Sequence, residues 1–195
     1  MTPSSASGGL TPSYNNIGIS DDANPRSADL DNAGYSYSAQ SLQAVGLGSG
    51  QSVTAAGLTF QWPNTLSGTA DDVWAQGQTI TFTAPLSGNN LGFLGMAANG
   101  PATGNVVINY VDGSTQSLPL TFSDWTLSGG ASGISPGDTV VATMAGRNSK
   151  DGFQHLTTYV FEAGVPLIPM KPVASITLPA TLYPVQIHIF AVSVG

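Results

Sequence analysis

The feature that most constrains the fold of this chain is a series of short β-type segments separated by turn residues. The clearest pair spans 105–110 and 115–125, joined through Asp112 and Gly113. An Asp-Gly step between two apolar segments favours a hairpin, because the tight turn needs positive φ angles. About ten short segments recur at spacings of roughly 8–12 residues, which is typical of a sandwich or jelly roll. The sequence therefore predicts an all-β fold, an antiparallel β-sandwich.

The other predicted elements follow from local periodicity and turn chemistry. Outside the hairpin, strands are expected at 14–19, 52–62 (two strands around Gly57), 78–84, 91–97, 139–144, 156–162, 173–178 and 185–194. Residues 38–45 are spaced as one short helix, which ends at Gly46. Polar loops are expected at 64–77, 127–137 and 145–153. Gly92 and Gly95 predict places where another layer approaches the backbone closely.

Length and termini favour a single domain. A chain of 195 residues can bury one two-sheet core but is short for two independent folds. Residues 1–12 lack the basic and apolar regions of a signal peptide. We interpret 1–12 as a linker remnant and 13–195 as one β-sandwich domain, a module excised from a larger exported protein.

Composition excludes several classes of partner. Charged residues make up 8% of the chain, and the formal net charge is −7 with four Lys plus Arg. Nucleic acids and anionic membranes are disfavoured, because both require clustered cations. No apolar run reaches the roughly 18 residues of a membrane span. Cysteine is absent, so disulfides and thiolate sites are excluded. The neutral, hydroxyl- and amide-rich surface suits an exported protein or one that works in acid, and we expect a secreted, extracellular protein.

The segment 14–42 holds the densest group of carboxylates. The candidate calcium ligands in it are Asp21, Asp22, Asn24, Asp29 and Asp31. Calcium binds six to eight hard oxygen ligands, which such a loop can supply. An EF-hand is rejected, since Ala33 and Gln40 occupy ligand positions of that pattern. The alternative is that Asp31 accepts hydrogen bonds in a turn while Asp21 and Asp22 are solvated.

Aromatic and polar residues in loops predict a sugar-binding site. The candidate ligand-binding residues are Trp74, Asp72, Tyr35, Tyr37, Arg147 and Asn148. Sugar rings stack on aromatic faces, while planar polar side chains bind hydroxyls in a concave site. Three alternatives stay open: Trp62 and Trp125 are core residues, Tyr35 and Tyr37 face the interior, and Arg147 pairs with an aspartate.

Catalytic patterns are weak. Residues 133–137 match G-x-S-x-G, but Pro136 follows the serine and a strand rather than a helix comes next. His155 and His188 have no metal-type companion, and His188 lies in an apolar strand. The chain has one glutamate, Glu162. The sequence predicts no enzyme activity, because no set of residues meets the geometric roles of an active site.

A family resemblance adds to this interpretation. The matching motifs lie at 16–20 (NIGIS), 31–39 (DNAGYSYSA), 60–63 (FQWP), 75–80 (AQGQTI), 91–95 (LGFLG), 122–125 (FSDW), 147–149 (RNS) and 189–191 (IFA). In their order they resemble the galactose-binding-like, NPCBM-related β-sandwich modules appended to secreted actinobacterial glycoside hydrolases. The resemblance implies a jelly roll, a non-catalytic role beside a covalently linked glycoside hydrolase, a glycan ligand and often a bound calcium.

Together these observations predict a non-catalytic carbohydrate-binding module of an exported enzyme, with a structural calcium. The alternative is a structural or self-assembling extracellular module, such as a surface-layer, filament or spacer domain, since exposed strand edges also serve self-association. A hydrolase is the third option.

Overall fold

A computed structural model of the chain describes residues 6–195, and its regular structure is almost all β. In chain order the strands are β1 (Ala6–Gly8), β2 (Ile19–Ser20), β3 (Tyr35–Ser38), β4 (Ser52–Ala55), β5 (Leu58–Gln61), β6 (Val73–Trp74), β7 (Thr79–Leu86), β8 (Asn90–Ala98), β9 (Ala102–Tyr110), β10 (Thr115–Phe122), β11 (Asp138–Met144), β12 (Arg147–Ser149), β13 (Gly152–Gln154), β14 (Thr158–Pro166), β15 (Val173–Thr177) and β16 (Gln186–Val194). Helix α1 spans Ala39–Ala44, α2 is one turn at Leu127–Gly130, and short 3-10 turns lie at Thr11–Ser13 and Pro25–Ser27.

The strands form a layered sandwich. The largest sheet has the order β1-β16-β8-β14-β11, with β6 added beside β16. A second sheet has the order β10-β9-β15-β7, and a third the order β13-β12-β3-β2. The hairpin β4-β5 is separate. All pairs are antiparallel except β2 with β3, which is parallel. The predicted antiparallel β-sandwich is confirmed.

The largest sheet is the middle layer, since every residue of β16 and all but the first of β8 are buried. Two glycines of β8 show what covers its faces. A Cβ on Gly92 would lie 2.8 Å from the Phe60 ring of β5, and one on Gly95 would lie 3.0 Å from the Phe122 ring of β10. Side chains three positions apart on a strand point to opposite faces. The hairpin β4-β5 and the sheet containing β10 therefore pack on opposite faces, which confirms the close approach predicted at these glycines.

Four aromatic rings join the middle layer to β3 and to the segment after β5. Phe190 of β16 stacks on Trp62 at 4.8 Å between ring centroids and meets the edge of Tyr37 at 5.8 Å. Tyr37 in turn contacts Trp125 at 5.0 Å. The four side chains are at most 2% exposed. Trp62 and Trp125 are thus core residues, which confirms the alternative that these two tryptophans pack in the interior.

Most predicted elements are confirmed. Helix α1 begins after Ser38, whose Oγ accepts a hydrogen bond from the Ser41 backbone amide at 3.0 Å. Gly113 has φ of +83° in the turn between β9 and β10, as the Asp-Gly step requires. The strands predicted within 52–62 and at 78–84, 91–97, 139–144, 156–162, 173–178 and 185–194 are all present, with shifted ends.

Several predictions need correction. The polar loop expected at 64–77 contains β6, and the one expected at 127–137 contains α2. The strand expected at 14–19 is reduced to β2, because the backbone amides of Asn15 and Asn16 donate to the Asp72 carbonyl instead of joining a sheet. The loop expected at 145–153 contains the hairpin β12-β13. Residues 6–8, assigned to a linker, pair with β16, and Leu10 is buried. The remainder of that linker, residues 1–5, lies outside the described residues.

No helix in the part of the chain that the structure describes is long and apolar enough to span a membrane.

Candidate functional site

The most polar part of the interior lies where β6 meets β16. Asp71 and Asp72 precede β6, and Trp74 of β6 pairs with His188 of β16. This pairing sets the Asp72 carboxylate beside the imidazole, with 2.6 Å between Asp72 Oδ2 and His188 Nδ1. Both side chains are fully buried. Asn16 adds a hydrogen bond from its Nδ2 to Asp72 Oδ1 at 3.0 Å. The pair is therefore satisfied inside the fold, as a buried charge requires.

His188 links Asp72 to a further buried side chain. Its Nε2 lies 3.1 Å from Oε1 of Gln186, which is also fully buried. Each ring nitrogen of His188 therefore lies beside a side-chain oxygen, one from Asp72 and one from Gln186.

Asp71 is the second carboxyl of the cluster and is held by backbone amides. Gly18 N donates to its Oδ1 at 2.8 Å, and Ile19 N donates to its Oδ2 at 3.0 Å. Burial, followed by the negative charge of Asp72, raises the pKa of Asp71 to about 9. At neutral pH this carboxyl is therefore protonated. Because its oxygens bind consecutive amides, Asp71 ties the segment before β2 to the segment before β6.

A cleft opens above Asp71, between α1 and residues 62–67. It has a volume of about 190 Å³ and has Asp71 at its floor. Its walls carry the amides of Gln40 and Gln43 and the apolar side chains of Leu42 and Trp62. Asp21 is also at the wall, where its Oδ2 accepts a hydrogen bond from Gln40 Nε2 at 2.8 Å. The cleft thus combines apolar walls with a few fixed polar groups, as ligand sites do.

The sequence-predicted ligand residues do not line this cleft. Asp72, Tyr37 and Asn148 are fully buried, and Trp74 is half-buried beside His188. The Tyr37 hydroxyl donates to the Tyr159 carbonyl, and Asn148 Nδ2 donates to Ser20 Oγ at 3.0 Å. These side chains therefore hold the fold together.

The remaining two, Tyr35 and Arg147, contact each other. The Arg147 guanidinium lies over the Tyr35 ring, 3.5 Å from its centroid. Its Nε donates to Gln154 Oε1 at 3.3 Å. Among the described residues Arg147 forms no ion pair, so the alternative of an aspartate partner is replaced by a cation–π contact.

The candidate calcium ligands do not converge. Oxygens of Asp21, Asp29 and Asp31 accept hydrogen bonds from the backbone amides of Ala23, Gly34 and Ala33. Within residues 6–195, no three His, Cys, Asp or Glu side chains come together as a metal site. The five predicted ligands, which include Asp22 and Asn24, therefore do not fit a calcium ion in this arrangement, and three of them act as turn acceptors.

This arrangement predicts that calcium does not stabilise the domain. The midpoint of thermal unfolding should be the same with millimolar calcium and with excess chelator, because a ligand stabilises only the state that binds it. Differential scanning calorimetry checks this, with Asp29→Asn as the comparison variant. A midpoint that rises with calcium in the original chain and not in Asp29→Asn would restore the calcium site.

The G-x-S-x-G match lies in a loop between α2 and β11. The Ser135 backbone amide donates to Ser123 Oγ at 2.7 Å. A nucleophile elbow requires a strand before the serine and a helix after it. Neither element flanks Ser135, so this motif contributes nothing to the site.

Sequence reasoning missed Asp71, Gln40, Gln43 and the pairing partner of Asp72. The apolar alternation around His188 correctly indicated a buried strand, but it gave no sign of the carboxylate beside the ring. One signal was available: two adjacent aspartates directly before Val73-Trp74 are costly at a strand that enters the core unless they are paired. The partner lies 116 residues away in the chain.

Comparison with known proteins gives the family. A search of curated proteins returned no match. Residues 7–195 match the family described as the AziU2-like beta-sandwich domain. The match begins within β1, covers nearly the whole chain and agrees with the observed sandwich. The relation to galactose-binding-like modules is not confirmed by it. The chain belongs to the AziU2-like beta-sandwich domain family.

Proposed function

We propose that this domain is a non-catalytic recognition module that binds a neutral, hydroxyl-rich ligand, a saccharide, in the cleft between α1 and residues 62–67. The observation that carries the proposal is the lining of the cleft: side-chain amides and hydroxyls above an apolar wall. Amides donate and accept at once, as a sugar hydroxyl also does. This is a different face from the aromatic and Arg147 set predicted from the sequence.

The polar groups of the cleft are partly fixed before a ligand arrives. Gln40 Oε1 accepts from the Asp22 backbone amide at 3.1 Å, while Gln40 Nε2 donates to Asp21. Gln43 is exposed, and its side chain has no hydrogen-bond partner among the described residues. Gln40 therefore supplies a rigid contact and Gln43 a free amide. A preorganised group loses less conformational entropy on binding, which favours affinity.

The electrostatics of the cleft favour an uncharged ligand. Asp71 at the floor is protonated at neutral pH, because its pKa is raised to about 9. Asp21 is ionised, since the Ala23 amide and then the Gln40 side chain lower its pKa. Neither lysine nor arginine lines the cleft. Anionic ligands such as phosphates would meet no cation here.

Removing the amide of Gln43 or Gln40 should weaken saccharide binding about tenfold each, since one lost hydrogen bond costs about 1–1.5 kcal/mol. A glycan panel first identifies a ligand for the original chain, and isothermal titration calorimetry then measures Gln40→Ala and Gln43→Ala. Gln76→Ala is the matched control, an exposed glutamine outside the cleft. Equal affinity in all three variants, or no saccharide bound at millimolar concentration, would overturn the proposal.

The proposal also includes a cellular location and a covalently linked enzyme. A weak saccharide-binding domain serves best when it is joined to an enzyme that acts on the same polymer, because the link raises the local concentration of substrate. We therefore place the domain outside the cell beside a glycoside hydrolase. The low charged fraction of 8% supports an extracellular location.

A structural, self-assembling module is the second candidate. It is favoured by large apolar side chains on the surface: Met170 is 97%, Leu182 77% and Tyr183 66% exposed. Exposed apolar groups of this kind occur at contacts between copies of a chain when they form a continuous patch. Ordered polymers in size-exclusion chromatography and electron microscopy, lost in Leu182→Ser, would support this candidate over saccharide binding.

A further inference from the structure

We propose that a proton on Asp71 holds the proposed saccharide cleft together, so that the cleft and its ligand binding are lost in alkaline solution. This inference rests on the proposed function for its ligand-binding part, while its structural part stands on the cluster of Asp71, Asp72 and His188. The wall of the cleft, at Ile19 and Asp21, and its floor at Asp71 come from two separate segments of the chain.

The Asp71 side chain joins the wall to the floor through two hydrogen bonds. Its carboxyl bridges the amides of Gly18 and Ile19 at 2.8 and 3.0 Å. The two carboxyls pack closely against Gly18, since a Cβ on this residue would lie 2.8 Å from Asp72 Oδ1 and 3.2 Å from Asp71 Oδ1. The two carboxyls therefore lie against the same backbone atom. A shift of either one displaces the chain that forms the wall.

The charge count of the cluster requires this proton. The cluster contains two carboxyls and one imidazole, and all three side chains are fully buried. Asp72 is the carboxyl that the imidazole contacts, at 2.6 Å. Asp71 has no cationic partner within the described residues. Two adjacent buried carboxylates would repel, which is the situation in which one of them retains its proton.

Other titratable groups around the cluster do not supply a second cation. Tyr14 lies close to both carboxyls, and burial followed by their charges raises its pKa, so it stays neutral. Burial, followed by the charges of Asp124 and Asp72, raises the pKa of Tyr37 of β3, so it is also neutral. Asp21, at the cleft wall, is a further negative charge. None of these three neighbours is a cation.

The sign of the pH effect follows from Asp71. Its pKa in the fold, about 9, is above the ordinary 3.8, so the unfolded chain loses this proton first. The contribution of Asp71 to stability is complete below the ordinary value, falls as pH rises, and is gone above about 9. Burial and the nearby Asp72 raise this pKa, whereas the hydrogen bonds from the Gly18 and Ile19 amides lower it. Ionisation of Asp71 therefore destabilises the cluster through desolvation and repulsion from Asp72, which would push the two buried carboxylates apart.

The first test needs no ligand and no variant. Carbon-13 labelling of aspartate carboxyls allows NMR to follow each one across pH. We expect one carboxyl to titrate near pH 9, together with faster hydrogen exchange of the Gly18 and Ile19 amides, while far-UV circular dichroism keeps the β signal. If every aspartate titrates below about pH 5, the inference is wrong whether or not a saccharide binds.

The second test compares Asp71→Asn, whose amide retains one acceptor and one donor but cannot ionise. With the saccharide identified at neutral pH, the affinity of the original chain should fall about tenfold per pH unit above 9. The affinity of Asp71→Asn should not change with pH. Asp151→Asn removes an exposed carboxyl outside the cleft, and its affinity should depend on pH as that of the original chain does. A level profile in the original chain would overturn the coupling. If no saccharide binds at any pH, the proposed function is wrong. The NMR titration of Asp71 would still test the structural part of this inference, because it needs no ligand.

Discussion

Replacing Phe190 by alanine is expected to lower the free energy of unfolding by about 3–5 kcal/mol, the usual loss when a buried phenylalanine is truncated. Phe190 is fully buried in the middle layer. Its ring stacks on Trp62 and meets the edge of Tyr37, so its removal leaves a cavity bounded by two rings that their own packing holds in place. The site cannot collapse easily, which puts the cost at the upper end of this range.

Chemical denaturation followed by tryptophan fluorescence measures this change directly. Phe190→Leu, which retains most of the volume, should cost clearly less than the alanine variant. Leu182→Ala is the control, because Leu182 is 77% exposed and its truncation leaves no cavity. A loss below about 1 kcal/mol in Phe190→Ala would mean that the contact between the middle layer and β3 is not part of the stable core.

Replacing Asp72 by alanine is the second change with a large expected effect, a loss of about 3–5 kcal/mol at neutral pH. The carboxylate contacts His188 at 2.6 Å and Asn16 at 3.0 Å, and its removal leaves both without this partner inside the fold. Breaking one side of a buried pair is costly, because the remaining polar group has lost its water and gains nothing in exchange.

A double-mutant cycle separates the pair from its surroundings. Asp72→Asn, His188→Gln and the double variant should show a coupling free energy of about 1–3 kcal/mol, since the two groups are in direct contact. The comparison is the surface pair Arg26–Asp151, at 3.9 Å with both side chains more than 70% exposed, where Asp151→Asn should have no measurable effect. Additive losses for Asp72 and His188 would show that the two side chains act independently.

Local chemistry determined most elements of this fold. The Asp-Gly turn between β9 and β10 and the alternation in β7 and β16 depend on residues that are close in the chain, so they could be predicted. The strand predicted at 14–19 failed because its amides bind the Asp72 carbonyl. No local pattern reveals a partner more than fifty residues away.

The candidate site was less accessible to prediction. Asp72 and Trp74 were predicted as ligand-binding residues because their polar segment suggested an exposed loop, whereas β6 enters the largest sheet beside β16. Asp21 and Asp31 suggested a metal site by composition alone. The direction of each carboxylate oxygen decides between a metal ligand and a turn acceptor, and that direction depends on backbone geometry rather than residue type.

The sequence by itself determined the all-β class, helix α1, the hairpin turn and the position of the last strand, because hydrophobic periodicity and turn residues act over a few positions. The tertiary structure alone decided that Asp72 contacts His188 with Asp71 beside it, that burial raises the pKa of Asp71, and that Asp71 lines a cleft. These properties depend on burial and on charges brought together from segments more than a hundred residues apart, and the free energy of a charge is set by its surroundings in space.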